Sequence, residues 1–221
     1  MIVADTSNNG SISSFDAALI AKYVVSSPPF GITGNWKFIP PNRNYATVNG
    51  TISNQDYSAL LMGEVSGDWN NSGARPAGSR QSAEGGGRNS SIDVKLPRVA
   101  QAGDKEIMLP VSVQGVANKG IIAYEFDLRY DPAVILPGAN PIYLTSTVSR
   151  GLSFAVNAEK PGIIRVAVYG AVPVAENGVL LNLRFTAVGK IGSVSPLTWE
   201  RIMFNEGEPQ VAAAGGQVKL F

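Results

Sequence analysis

The chain has 221 residues, of which 44% are apolar and 16% charged, and its formal net charge is +1. This length can bury one or two hydrophobic cores, and the small charge gives no field that would attract nucleic acid or an anionic membrane. The chain contains neither histidine nor cysteine, which excludes serine–histidine and cysteine–histidine catalytic pairs and histidine-based zinc sites. Its carboxylates are scattered over predicted turns and strand faces, so the sequence does not indicate an enzyme.

Residues 5–16 have the spacing of a calcium-binding loop. Calcium takes about six to eight oxygen ligands, and a twelve-residue loop supplies them at fixed positions. The residues at these positions are Asp5, Ser7, Asn9, Ser11 and Asp16. Gly10 lies where such a loop turns sharply, and we expect Ile12 to anchor the loop to a neighbouring core. With two carboxylates the affinity should fall near 10⁻⁴–10⁻³ M, roughly the range of extracellular modules. A metal-free, Asx-rich turn that caps a helix is the alternative interpretation.

A helix is predicted directly after the loop, because Leu19 with Tyr23 and Ile20 with Val24 repeat at i, i+4. Loop and helix together resemble one repeat of a dockerin, a family in which the loop leads into a single helix and two repeats usually pair. The resemblance implies that the residues contacting a partner are Ser14, Phe15 and Lys22. For Phe15, packing against a second repeat is the alternative.

A second, degenerate repeat follows. Residues 49–56 match positions 5 to 12 of the first loop, but Tyr45 falls at the first ligand position, where it cannot replace a carboxylate. We therefore predict a turn and a helix that keep the packing and lack the metal. The apolar residues of that predicted helix are Tyr57, Leu60, Leu61 and Met62. The two repeats define a predicted dockerin-like module at residues 1–70, with Trp36 and Trp69 in its small core.

Residues 71–90 are predicted to be a flexible linker. They are rich in glycine, serine, alanine and charged residues and contain three consecutive glycines, Gly85-Gly86-Gly87. Such a composition cannot bury enough apolar surface to offset the entropy of ordering. Its root-mean-square reach of roughly 25 Å would allow the flanking domains to touch or to separate.

Beyond residue 91 the hydrophobic period changes to two. Tyr124, Phe126 and Leu128 alternate with charged residues, and residues 179–186 show a similar alternation. Further candidate strands are 92–96, 106–113, 141–146, 152–157, 162–169, 194–199 and 215–221. About nine short strands indicate an antiparallel β-sandwich or jelly roll. The predicted fold class is mainly β with a small α part, the sandwich being preceded by the small helical module.

Several segments of residues 91–221 resemble a cohesin. They are Ala102-Gly103-Asp104 with residues 107–111, residues 120–134 ending in Tyr130-Asp131-Pro132, residues 177–185, and residues 215–218. The resemblance implies a sandwich that binds dockerin modules, in cis or in trans, through one flat face. Polar side chains on the strand before Tyr-Asp-Pro carry much of that contact in the family. The corresponding positions are Ala123, Glu125, Asp127 and Arg129.

Two questions about this sheet face stay open in the sequence. A solvated surface is the alternative interpretation of the charged row. Arg165 and Tyr169 would share one side of the strand at 162–169, and an arginine with a tyrosine is a common interface anchor. Ile164, Val166 and Val168 compete with Ile163, Ala167 and Tyr169 for the core side of that strand.

A carbohydrate-binding sandwich is the alternative function. Such modules stack sugars on exposed aromatic rings, and the candidates here are Trp199, Tyr143 and Tyr169. The partner would then be a polysaccharide, and the parent protein a larger secreted polysaccharide-active protein. Loss of binding to insoluble polysaccharide in Trp199→Ala would distinguish this function from the cohesin-like one.

The sequence also bears on location. No apolar stretch approaches the roughly 20 residues that span a bilayer, and the first residues do not resemble a signal peptide. A weak calcium loop is useful where calcium is near millimolar, outside the cell. We therefore expect an extracellular or cell-surface fragment without its signal peptide, acting in non-catalytic adhesion or scaffolding.

Overall fold

A computed structural model of the chain describes residues 2–25, 31–45, 47–65, 91–101 and 106–221. The chain divides into two compact units, Met1–Glu84 and Gly85–Phe221. The predicted linker at 71–90, Trp69 and the Ala102-Gly103-Asp104 motif lie outside the described residues. No helix within the described ranges is long and apolar enough to cross a membrane.

In the residues that the structure describes, the first unit contains a 3₁₀ turn, one α-helix and one pair of strands. A short 3₁₀ helix, Ile2–Ala4, precedes the loop, and α1 spans Ser14–Val25. Two strands, β1 (Trp36–Ile39) and β2 (Ser58–Leu61), pair in antiparallel orientation. The helix predicted after the first loop is therefore present.

Helix α1 begins with a capping box. The hydroxyl of Ser13 accepts a hydrogen bond from the N–H of Phe15 at 3.1 Å, and the N–H of Ser13 donates to the carboxylate of Asp16 at 2.9 Å. These reciprocal bonds satisfy two N–H groups that have no partner within the helix. The last residue of the loop is therefore also the residue that fixes the start of α1.

The prediction of a helix after the second repeat is wrong, because Ser58–Leu61 form the strand β2. The apolar run is too short for a stable helix but long enough to pair with β1. Gly63 ends the run with a φ of 90°, and a Cβ at this position would approach Thr33 Cγ2 to 2.8 Å. Both observations require glycine there. Met62, from the predicted apolar face, is buried as expected.

Two apolar side chains expected in the core of this unit lie at its surface. Ile12 is 59% exposed and Trp36 is 46% exposed. Residues 47–57 form neither helix nor strand, so the second repeat provides no helix against which Ile12 could pack. The loop is consequently held by hydrogen bonds and by α1, and Ile12 does not anchor it.

The second unit, as far as it is described, is built from strands. Their bounds are β3 Ile92–Lys95, β4 Arg98–Gln101, β5 Glu106–Gln114, β6 Ile121–Arg129, β7 Ile135–Tyr143, β8 Ser153–Asn157, β9 Ile163–Val174, β10 Gly178–Ala187, β11 Val194–Phe204, β12 Val211–Ala214 and β13 Gly216–Leu220. Burial alternates along β5, where every second residue from Ile107 to Val113 is buried. This period of two is the pattern of a strand with one face on a core.

The strands form a sandwich of two sheets. One sheet has the order β12-β3-β5-β10-β7, and the other has the order β4-β13-β11-β6-β9-β8. Pairing is antiparallel except between β12 and β3 and between β13 and β4. The buried side chains of both sheets meet in one hydrophobic core, whose largest members include Tyr124, Phe126, Phe185 and Phe204. The predicted fold class, mainly β with an antiparallel sandwich, is confirmed.

At one side of the sandwich the chain passes directly from sheet to sheet. Strands β12 and β13 belong to different sheets and are separated only by Gly215, and β3 and β4 are related in the same way across two residues. A Cβ at Gly215 would approach the carbonyl oxygen of Leu197 to 2.5 Å. A Cβ at Gly216 would collide with the carbonyl oxygen of Pro97 and lie 2.9 Å from Leu96 Cβ. This crossing therefore depends on glycine.

Candidate functional site

The solvent side of the six-stranded sheet at β11, β6, β9 and β8, here called the outer face, carries the polar row predicted on β6. The β6 side chains that enter the core are Tyr124, Phe126 and Leu128. The alternate residues point the other way, and they are the predicted contact residues Ala123, Glu125, Asp127 and Arg129. Ala123 is fully buried, so its side chain offers no surface to a partner. The other three border solvent to increasing degrees along the strand.

Strand β9 has the orientation that places its polar residues outside. The side chains that enter the core are Ile164, Val166 and Val168. Arg165, Ala167 and Tyr169 therefore lie on the outer face, with Arg165 exposed and the other two half-buried. This answers the question that the sequence left open for residues 162–169.

The strand register assembles two neighbouring rows across the outer face. In the first row Asp127 lies between Arg201 of β11 and Arg165 of β9. In the second row Glu125 lies beside Ala167, which faces Ala155 of β8. One row is charged and the other ends in two methyl side chains.

Ion pairs connect the charged side chains of the outer face. Arg201 Nη1 lies 2.9 Å from Glu125 Oε1, and Arg201 Nη2 lies 3.9 Å from Asp127 Oδ1. Arg165 donates from Nε to Asp127 Oδ2 at 3.3 Å. At the end of β6, Arg129 pairs with Glu200, the extra residue of a β-bulge in β11. The buried Glu125 is thus compensated by one guanidinium, and Asp127 lies between two.

The small side chains of the second row leave a hollow in the outer face. Its volume is about 240 Å³, which is enough for one large side chain. Its walls combine charged groups with short apolar groups, and the lining residues are Glu125, Asp127, Arg165, Arg201, Asn157, Ala155, Val156, Val166 and Ala167. The sequence alone does not indicate Arg201 or Ala155 as site residues, because only the strand register brings Arg201 beside β6 and Ala155 beside β9.

In the first unit, hydrogen bonds from the loop surround the carboxylate of Asp5. It accepts the N–H groups of Asn9 at 3.1 Å and Gly10 at 3.0 Å, and the hydroxyl of Ser7 at 3.3 Å. Desolvation acts to raise the pKa of Asp5, but the backbone hydrogen bonds, led by that of Gly10, outweigh it and lower the pKa below its usual value. The Asp5 carboxylate is therefore held ionised at the first ligand position.

The carboxylate of Asp16 is buried on the other side of the same loop. Its Oδ1 accepts the N–H of Ser7 at 2.9 Å, and its Oδ2 accepts the N–H of Ser13. Ser7 thus contacts both predicted carboxylate ligands, through its hydroxyl and through its backbone. Asn9 Oδ1 accepts the N–H of Ser11 at 2.7 Å, which keeps these two predicted ligands close together.

The loop residues present a donor set that fits calcium. The donors are two carboxylates, the side-chain oxygens of Ser7 and Asn9, and a backbone carbonyl at Ser11, all of them hard oxygen ligands. The described residues contain no cluster of three or more acidic, histidine or cysteine side chains that could hold a metal. A calcium ion in this loop would therefore depend on neutral oxygens to complete its coordination.

The predicted contact residues of the first unit differ in accessibility. Ser14 is buried, and its hydroxyl has no hydrogen-bond partner among the described residues. Phe15 and Lys22 are half-buried on α1, and desolvation lowers the pKa of Lys22. Phe15 and Lys22 reach the surface, whereas Ser14 does not.

The three aromatic residues considered for sugar binding do not share a surface. Trp199 packs against the core, with its ring 5.3 Å from that of Phe126 and its Nε1 donating to the carbonyl of Ala214 at 3.1 Å. Tyr143 lies on β7 of the five-stranded sheet, and Tyr169 lies on β9 of the other sheet. The aromatic platform that the alternative function requires is therefore not formed by these residues.

Comparison with known families identifies the second unit. The family model described as "Cohesin domain" matches residues 92–215. The chain belongs to the cohesin family. Cohesin domains are non-catalytic protein–protein interaction modules, and this class applies to the matched residues.

Solved structures show the same fold. A chain of a type I cohesin–dockerin complex from Clostridium thermocellum superposes with a TM-score of 0.52 at 20% identity, over 60% of this chain and 100% of that chain. A non-cellulosomal cohesin from the archaeon Archaeoglobus fulgidus gives a TM-score of 0.50 at 18% identity, over 60% of this chain and 92% of that chain. No curated protein matches the chain. The predicted cohesin resemblance is confirmed for the sandwich, and the dockerin resemblance of the first unit stays a prediction.

Proposed function

We propose that the outer face of this cohesin domain binds a dockerin-like module. The observation that carries the proposal is the hollow between Glu125, Arg165 and Ala155, within a polar surface on a cohesin sandwich. A side chain from a partner can enter it while the surrounding charges form hydrogen bonds at its rim. This arrangement of a central pocket and a polar rim is typical of protein interfaces.

The same proposal assigns the whole chain to non-catalytic adhesion or scaffolding. The first unit would hold one calcium ion through Asp5, Ser7, Asn9, Ser11 and Asp16. When bound, the ion would neutralise the two carboxylates and stiffen the loop that leads into α1. On that unit, Phe15 and Lys22 are the proposed partner contacts, and an extracellular or cell-surface setting would supply the calcium.

The test of partner binding should leave the ion pairs intact. Replacing the buried Glu125 or the half-buried Asp127 would break their ion pairs with Arg201 and Arg165 and disturb the sheet around them, so lost binding and lost folding could not be separated. Ala155 is a better position, because it is exposed on β8 and opens into the hollow. Ser112 provides the control, because it is an exposed strand residue on the other sheet.

We expect Ala155→Trp to fill the hollow and to weaken binding of a dockerin by about thirtyfold or more, the loss of a central contact worth at least about 2 kcal/mol. Ser112→Trp should bind as the wild type does. The measurement is calorimetric titration of the full chain and both variants with a panel of dockerin modules in calcium. Equal binding by the two variants, or binding of no dockerin by the wild type, would contradict the proposal.

A further inference from the structure

The charges of the outer face are arranged in two layers. The Arg201 side chain is 52% exposed, whereas that of its partner Glu125 is 11% exposed. Arg165 is 51% exposed and Asp127 only 19%. The side chain of Arg129, at the end of β6, is also more exposed than that of its partner Glu200 on β11. In each ion pair of this face the guanidinium is therefore the group that an approaching molecule meets first.

The opposite sheet shows that this order is not general in the sandwich. Arg184 of β10 pairs with Glu106 of β5 at 2.6 Å, and there the carboxylate side is the more exposed, at 56% against 31%. Like the ion pairs of the outer face, this pair joins neighbouring strands at the surface of a sheet. The arginine layer is thus a property of the outer face.

For Glu125 and Asp127, strand position explains the layering. The carboxylates of Glu125 and Asp127 start from β6, which has β11 on one side and β9 on the other. Their short side chains stay close to the sheet, while the longer arginines of the flanking strands reach over them. The charges of the two carboxylates and the two arginines sum to zero, but the guanidinium groups are the ones that point to solvent.

The outer layer retains hydrogen-bond donors for a partner. A guanidinium carries five N–H groups in a planar fork that matches a carboxylate. Within the part of the chain that the structure describes, Arg165 donates only through Nε, to Asp127. The four N–H groups on its two terminal nitrogens are directed to no protein acceptor in that part. A carboxylate at the rim of the hollow could accept from them in a bidentate arrangement.

We infer that the partner of the outer face is an acidic surface of another protein, which places a carboxylate on Arg165 beside the hollow. The inference rests on the proposed function and specifies the chemistry of the partner. A helix that presents a basic residue would place like charges together, which disfavours association. A second copy of this chain that bound through Lys22 of α1 would place this lysine against Arg165. The partner is therefore a different protein.

Selection from an unbiased library can test this inference. The probe is a displayed dockerin scaffold whose exposed helix positions are randomised, selected against the immobilised full chain in calcium. We expect aspartate and glutamate to be enriched at the randomised positions. For the selected modules, Arg165→Gln should weaken binding at least about tenfold, because a charged donor is lost. Arg184→Gln on the other sheet is the matched control and should leave binding unchanged.

Arg165 is preferred to Arg201 for this substitution, because Arg201 is the ion-pair partner of buried Glu125. In Arg165→Gln, Asp127 keeps its contact with Arg201 at 3.9 Å. An unchanged thermal transition of this variant would verify that it folds. Should Arg165→Gln unfold, Arg165→Lys keeps the charge but loses the fork, and the same weakening with a folded protein is expected.

The possible results separate the two proposals. Enrichment of lysine and arginine, with binding that is lost in Ala155→Trp, would overturn the acidic partner and keep the outer face as the binding surface. Enriched acidic modules that tolerate Arg165→Gln would also overturn the inference. Selected modules that bind Ala155→Trp as well as the wild type, or a failure to select any module, would overturn the proposed function together with the inference.

Discussion

Asp5 is the residue on which the proposed calcium site depends most. Its carboxylate is fixed by hydrogen bonds from Ser7, Asn9 and Gly10, and these lower its pKa. The residue is thus ionised and oriented at the start of the loop. In the second repeat Tyr45 occupies the first ligand position. Asp56 at the last position therefore has no second carboxylate opposite it.

We therefore expect calorimetric titration with calcium to show one weak site, with a Kd near 10⁻⁴–10⁻³ M, approximately the range of extracellular modules. Asp5→Ala should abolish it, because one of only two carboxylate ligands is removed. Asp56→Ala, at the last position of the second repeat, is the matched control and should bind calcium normally. Two sites in the wild type, or a site that survives Asp5→Ala, would rule out the single-loop proposal.

Sequence spacing indicates which side chains come together where they are close along the chain. Asp5, Ser7, Asn9 and Asp16 lie within one loop, and the structure brings them together as their spacing indicates. Arg201 could not be found in this way, because it reaches Glu125 only through pairing of strands that are distant in sequence. A β-bulge between Trp199 and Arg201 shifts the alternation of β11, so a simple period of two does not predict that Arg201 lies on the outer face.

At the level of elements, the crossing from β12 to β13 is the feature most sensitive to a single methyl group. Gly216→Ala would drive a Cβ into the carbonyl of Pro97 and against Leu96. We expect a loss of about 1–3 kcal/mol in the free energy of unfolding of the sandwich, the cost of overpacking a tight site.

Chemical denaturation of the full chain measures this effect. The control is Gly138→Ala in β7, where the nearest atom to the new Cβ is 3.6 Å away and the contact is ordinary. Its stability should change by no more than about 0.5 kcal/mol. If the two variants proved equally stable, backbone approach at Gly216 would not be what fixes the crossing.

The bounds of β5 were predicted well, because burial alternates along this strand without interruption. The sequence predicts a strand at 141–146, whereas β7 spans Ile135–Tyr143 and includes Pro137 and Pro141. Proline is tolerated there since β7 is an edge strand. Strands β4 and β12 were not predicted, because four residues that pair in parallel orientation have little pattern of their own.

For the whole molecule, the proposed ligands of calcium all lie in one of the two compact units. A ligand that binds only the folded state stabilises it by RT ln(1 + [L]/Kd), which is roughly 1–3 kcal/mol at about 10 mM calcium for the expected affinity. The stabilisation should be confined to the unit that binds.

Calorimetric melting of the full chain should therefore show two transitions, and a chelator should lower only that of the first unit. The Asp5→Ala variant serves as the control, since its melting profile should resemble that of the chelated wild type with or without calcium. An equal shift of both transitions would mean that the units unfold as one cooperative body.

The two pairs of parallel strands in the sandwich determine how the domain would respond to tension. Its first strands, β3 and β4, run parallel to its last strands, β12 and β13. A force applied between residues 91 and 221 pulls the start of one strand and the end of its partner in opposite directions. The hydrogen bonds of these ladders are then loaded side by side in shear, and they must yield together rather than open one after another.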